Sequence, residues 1–122
     1  MNDPLDKFGA FIVQNLRDKM LGNLQTLLHG KSKASAVQQM QDKLSRLDEN
    51  EKQFVWDLVE RITIAGLRDL LFAFQEEGDV KGAIKVLVDE KEIAKLSDGL
   101  HGEIFGDRGW IARYSKYQPS KT

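Results

Sequence analysis

Apolar residues recur every three or four positions over the first part of the chain, which is the spacing of an amphipathic helix. Asp3 followed by Pro4 is typical of a helix start, because the Asp side chain accepts from unpaired backbone N–H groups and proline is tolerated in the first turn. Gly30 is typical of the position just after a helix ends. The pattern predicts one helix over about 4–29. Its apolar stripe contains Leu5, Phe8, Ile12, Leu16, Met20, Leu24, Leu27 and Leu28.

Two more helices are predicted before Gly78. The second covers about 35–46, and the third covers about 49–77, where Asp48 and Glu51 have the spacing of a capping box. The inward residues of the second helix are predicted to be Val37, Met40, Leu44 and Leu47. Those of the third helix are predicted to be Val55, Leu58, Val59, Ile62, Leu70 and Phe74. Further apolar residues widen this stripe beyond one face, so the third helix is expected to pack on more than one side. Phe72 and Phe74 are two positions apart, so they cannot face the same side of one helix. One of them is therefore expected either to be buried elsewhere within the monomer or to lie in a homodimer interface.

The spacing of apolar residues changes after Gly78. Ile84, Val86 and Val88 alternate with other residues, which favours a strand over 83–88, although a helix also fits this segment. A helix is predicted over about 90–105 and a second strand over 110–115. The predicted fold is therefore a single domain, 1–122, that is mainly α. A three-helix bundle or hairpin array precedes a small C-terminal strand–helix–strand unit, with an all-α five-helix bundle as the alternative.

Composition narrows the function classes. The 122 residues include no cysteine, which excludes disulfides, thiolate metal sites and cysteine nucleophiles and suits the cytoplasm. We find no signal peptide pattern and no apolar run long enough to span a membrane. A net charge of −1 argues against a general nucleic-acid binder, which needs a basic face.

One cluster carries candidate chemistry for a metal or for proton transfer. Asp98 and His101 are three residues apart and would share a helix face, and Glu103 follows closely. These residues could bind a divalent cation, or His101 could act as a general base oriented by Asp98. The glycine-rich surroundings favour a structural interpretation, in which the segment is a winding turn and no metal or cofactor is bound.

The C-terminal segment combines Trp110, Arg113, Tyr114 and Tyr117, a composition typical of protein interfaces. The alternatives are that Trp110 closes the core with the tyrosines half-buried, or that the rings stack on single-stranded nucleic acid. Phosphate-binding loops, nucleophile elbows and metalloprotease motifs are absent from the sequence.

The sequence therefore predicts a small, soluble, non-enzymatic protein-binding module that acts through an aromatic and basic C-terminal surface. An adaptor, a regulator and an immunity-type inhibitor all fit this description, and the partner protein is not identified. The alternative is a small metal- or ligand-dependent enzyme or sensor that uses Asp98, His101 and Glu103. A weaker alternative is a nucleic-acid binder that uses the C-terminal segment.

Overall fold

The computed structural model describes residues 3–119, and a long first helix opens this part of the chain. It runs through α1 (Pro4–Ile12), a five-residue π-helical segment (Val13–Arg17) and α2 (Asp18–Leu28). Asp3 caps it by accepting a hydrogen bond from the Leu5 N–H at 2.8 Å, and Gly30 follows its end with a φ of 65°. The helix predicted over about 4–29 is therefore confirmed.

The π-helical segment rotates the buried stripe of this helix. A π turn closes with i→i+5 hydrogen bonds and so holds more residues than an α turn, which shifts the side chains that follow. Beyond it, Leu21, Leu24 and Leu28 are buried, whereas Met20 is exposed. The prediction that Met20 faces inward is wrong for this reason, and Arg17 is buried one turn before it.

A short second helical stretch begins with a 3-10 turn, Ser35–Val37, and continues as α3 (Gln38–Ser45). Met40 was expected to face inward but is exposed, while Gln41 is buried. The amide of Gln41 bonds both backbone groups of Ser32, accepting from the Ser32 N–H at 2.8 Å and donating to its carbonyl at 2.9 Å. The buried side of α3 therefore secures the preceding loop.

The central element is α4 (Glu49–Glu76), and its start matches the prediction. Asp48 Oδ1 accepts from the Glu51 N–H at 2.8 Å, and Glu51 Oε1 accepts from the Asp48 N–H at 3.0 Å, which completes the capping box. The buried residues of α4 are Glu60, Thr63, Leu67, Leu71 and Gln75. The predicted inward stripe is wrong for Leu58, Ile62 and Leu70, which are exposed.

The C-terminal third contains the strands. After a π-helical turn, Glu77–Lys81, strands β1 (Leu87–Val88) and β2 (Lys91–Glu92) form an antiparallel hairpin. Two 3-10 turns follow, Ile93–Leu96 and Leu100–Gly102, and then α5 (Trp110–Tyr114). The chain is thus mainly helical with a small sheet, as predicted. In detail, the strand over 83–88 exists only at its end, and β1 pairs with β2 rather than with 110–115.

The predicted helix over 90–105 and strand over 110–115 are both wrong. Gly99 is extended, with a φ of 179°, so it separates the two 3-10 turns instead of continuing one helix. Residues 110–114 form a helical turn, and its first residue, Trp110, enters the core against α1. A Cβ at Gly9 of α1 would lie 2.4 Å from the Trp110 ring, so the absence of a side chain there permits this approach.

The core lies between α1, the π-helical segment, α4 and the C-terminal turns. Its buried residues are Phe8, Val13, Leu67, Leu71, Ile93, Ala94, Leu100, Ile104, Trp110 and Ile111. The Phe8 and Trp110 rings meet edge to face with centroids 6.0 Å apart. Over residues 3–119, we find no helix with the length and apolar character required to cross a bilayer.

Candidate protein-binding surfaces

Trp110, the first residue of the predicted aromatic and basic surface, is fully buried. Its ring packs against Phe8 and over Gly9, and Ile111 beside it is also buried. A partner cannot contact the Trp110 side chain in this fold. The structure therefore places this residue in the core, which is the alternative that the sequence left open.

Arg113 and Tyr114 lie at the surface but already have contacts within the chain. The Arg113 guanidinium donates to Asp6 Oδ1 of α1 at 3.0 Å and lies 4.8 Å from the centre of the Tyr114 ring. The hydrogen bond that Arg113 donates to the Asp6 carboxylate raises the pKa of Arg113 above its ordinary value. The arrangement joins α5 to α1 and leaves part of the cation exposed.

The chain after α5 is held by charged groups of the first helix. Ser115 Oγ donates to Asp18 Oδ1 at 2.6 Å and accepts from Arg17 Nε at 3.1 Å. The Lys116 N–H donates to Asp18 Oδ2 at 2.9 Å, and Arg17 donates to the Tyr117 carbonyl at 2.8 Å. These bonds fix residues 115–117 against the π-helical segment, which is the element that directs Arg17 inward.

Tyr117 completes a recess between α2 and the start of α4. Its ring meets Trp56 edge to face at 5.5 Å, and its hydroxyl donates to Gln25 Oε1 at 3.2 Å. The recess has a volume of ≈ 290 Å³ and is open to solvent. Its lining is mostly polar: Gln25, Leu28, His29, Glu49, Lys52, Gln53, Trp56 and Tyr117. Tyr117 thus contributes a wall to this recess and does not project freely from the surface.

The structure does not assemble Asp98, His101 and Glu103 into a ligand set. Asp98 is exposed, the His101 ring packs edge to face on Phe72 at 5.0 Å, and Glu103 Oε1 accepts from Ser97 Oγ at 2.9 Å. Over residues 3–119 there is no group of three His, Cys, Asp or Glu side chains that could hold a metal ion. The contacts seen are those of a folded loop packed on α4.

One face of α4 that includes part of the predicted inward stripe is instead largely exposed. We define the α4 outer face as Phe54, Val55, Leu58, Ile62, Ala65 and Gly66, which fall within about 120° of arc at 3.6 residues per turn. The exposed fractions are 68% for Phe54, 49% for Leu58 and 61% for Ile62. Three neighbouring large apolar side chains exposed on one helix face mark an interaction surface better than scattered ones do.

The sequence carries two competing stripes on α4, and that is why this face was missed. The outer residues Val55, Leu58, Ile62 and Ala65 have coiled-coil spacing, and the buried stripe includes the polar residues Glu60, Thr63 and Gln75. A rule that places apolar residues inward selects the wrong stripe in such a helix.

Comparison with known proteins gives no further assignment. No protein-family model matches the chain, and no significant match is found among the curated proteins or among the solved structures.

Proposed function

We propose that the protein is a non-enzymatic protein-binding module and that it docks a helix of its partner along the α4 outer face. The observation that carries this proposal is the run of exposed Phe54, Leu58 and Ile62 on a helix whose opposite side is packed in the core. Removing such side chains from water on binding is favourable, and large apolar and aromatic anchors supply most of the affinity in protein interfaces.

The shape of the surface indicates what kind of element it accepts. From Phe54 to Gly66 the face is about 18 Å long at 1.5 Å per residue, and it is only a few side chains wide. The residues Phe54, Leu58 and Ile62 form one ridge at four-residue spacing, and such ridges pack into the grooves of another helix. The backbone of α4 is already hydrogen-bonded within the helix, so the face offers no free strand edge for β-augmentation.

The finer expectation, that Arg113, Tyr114 and Tyr117 contribute to the contact, stays a prediction. Arg113 pairs with Asp6 of α1 and lies over the Tyr114 ring, and a partner that reaches these two residues would gain polar and aromatic contacts there. An adaptor, a regulator or an immunity-type inhibitor in the cytoplasm fits this proposal. The alternatives that use Asp98, His101 and Glu103, or a nucleic acid at the C-terminal segment, gain no specific support from the contacts described above.

The test compares partner capture by three forms of the chain. The wild type, Leu58→Glu and Phe11→Glu serve as baits in host lysate, and each captured protein is then purified and titrated by calorimetry. Phe11 is a matched control because it is 63% exposed but lies on α1 beside the β-hairpin, in a recess with Val86 and Leu87. We expect Leu58→Glu to weaken a true complex by about 30-fold, as for an interface hot spot, and Phe11→Glu to leave it unchanged.

A purified complex that tolerates Leu58→Glu would refute the α4 outer face as the binding surface. Arg113→Ala/Tyr114→Ala, measured on the same complex, tests the C-terminal expectation separately. Loss of binding with this pair and not with Leu58→Glu would move the interface to α5.

A further inference from the structure

We infer that the α4 outer face binds a second copy of this chain, in an antiparallel, two-fold symmetric helix pair. The inference rests on the proposed function, because it names the partner for the same surface. It would make the protein a weak homodimer, in which both copies bury the same residues as an isologous interface requires.

The first argument is Gly66. Glycine in a helix interior costs roughly 1 kcal/mol relative to alanine, so a structural reason is expected for it. Packing within this chain does not supply one, since a Cβ at Gly66 would meet no atom of the described residues within 4 Å. The residue is exposed and helical and has no positive φ. Its missing side chain leaves a hollow in the outer face, which suits close approach by a large side chain from outside.

The second argument is that the face is complementary to itself. A two-fold axis that passes between the two helices at the level of residue 60, perpendicular to both, inverts the height of each residue and keeps it on the same edge of the face. Phe54 then lies against Ala65 of the second copy, and Val55 lies over the hollow at Gly66. Leu58 lies beside Ile62 near the middle of the contact. Each large side chain thus meets a small one or a partner of similar size, which is the condition for dense packing.

The ends of the face explain why this dimer would be weak and also provide a test of its register. In the same arrangement Glu51 lies level with Asp69 of the second copy, and both residues are exposed. These like charges oppose association. A positive charge at position 69 would instead face Glu51 across the two-fold axis, twice in each dimer.

Sedimentation velocity over about 1–300 µM protein measures the self-association, since interfaces of this small size bind in the micromolar range or more weakly. The wild type is compared with Ile62→Glu, Gly66→Leu and the control Phe11→Glu. We expect a reversible monomer–dimer equilibrium that Phe11→Glu leaves intact. Ile62→Glu is expected to weaken it by about 30-fold or more, because it buries a charge at the centre of the interface.

Gly66→Leu gives the sharpest result. Leucine forms helices well, and position 66 is open in the monomer, so this variant should fold at least as well as the wild type. It adds apolar surface, and a non-specific hydrophobic contact would therefore become stronger. We expect the dimer to be lost, because the added side chain fills the hollow that Val55 of the second copy needs.

Asp69→Lys tests the antiparallel register by a gain of affinity. It exchanges two repulsive pairs with Glu51 for two attractive ones, and we expect dimerisation about threefold to tenfold tighter. Circular dichroism and thermal unfolding confirm that each variant is folded. Weaker dimerisation of Asp69→Lys, or equal or stronger dimerisation of Gly66→Leu, would overturn the arrangement.

A wild type that stays monomeric over the whole range would overturn the inference. The proposed function would then still stand if a different purified protein bound the chain and Leu58→Glu weakened that complex. If neither self-association nor such a complex is found, both the inference and the proposed function fail.

Discussion

Arg17 is the side chain whose removal we expect to cost the most stability. It has no exposed surface, and its guanidinium bonds Glu60 Oε2 at 3.1 Å, the Tyr117 carbonyl at 2.8 Å and Ser115 Oγ at 3.1 Å. Arg17→Met keeps most of the aliphatic volume but removes the charge. It breaks the ion pair between Arg17 and the Glu60 carboxylate, whose side chain is only 7% exposed.

The expected loss follows from breaking this buried ion pair. Removing one partner of a buried ion pair costs about 3–5 kcal/mol, and for a chain of this size we expect the melting temperature to fall by about 10–20 °C. The double variant Arg17→Met/Glu60→Leu should recover part of the loss, because it also removes the carboxylate that Arg17 neutralised. The hydrogen bonds from Arg17 to Ser115 and to the Tyr117 carbonyl stay lost in both variants. The contrast between single and double variants separates the charge effect from lost packing.

Urea unfolding followed by tryptophan fluorescence measures these free energies of unfolding. Arg113→Met is the matched control, since the Arg113–Asp6 ion pair is partly exposed and such pairs contribute about 0–1 kcal/mol. The single Arg17 variant should also release residues 115–117, which is detected as faster hydrogen exchange at the amide of Tyr117. A loss below about 1 kcal/mol for Arg17→Met would refute the reasoning, because the pair would then be dispensable.

Two further predictions concern the core and the candidate metal cluster. Gly9→Ala and Gly66→Ala should change the stability of the monomer in opposite directions. The first forces a methyl group against the buried Trp110 ring and should cost about 1–3 kcal/mol, whereas the second adds helix propensity in open space and should gain about 0.5–1 kcal/mol. Calorimetry at low protein concentration measures both. A Gly9→Ala variant as stable as the wild type would contradict the packing described at Gly9, and a destabilised Gly66→Ala variant would contradict the open space at Gly66. Zn²⁺ should leave the melting temperature unchanged, because the described residues around His101 form no three-ligand group, and a rise that His101→Ala abolishes would contradict this.

Local signals in the sequence determined where the long helices begin and end. The Asp48–Glu51 capping box and the Asp3–Pro4 start depend on residues a few positions apart, and such contacts form in the same way whatever the rest of the chain does. The mainly helical class follows from these helices. The same local reasoning predicted the candidate site only in part. It assigned Arg113 and Tyr114 to the surface, where both are partly exposed. Composition alone could not show that Trp110, in the same segment, is buried in the core.

The tertiary structure decided which side of each element faces inward. On α4 the buried polar residues Glu60 and Gln75 have partners from distant segments: Arg17 pairs with Glu60, and Gln75 bonds the backbone of Ala94 and Leu100. No local pattern shows that such partners exist, so reasoning from the sequence selects the apolar stripe as the core. Burial of a polar side chain is favourable only when its hydrogen bonds are satisfied, and satisfaction depends on contacts 19–43 residues apart in the chain. That is why the sequence determined the helices while only the folded chain placed Leu58 and Ile62 on the outside.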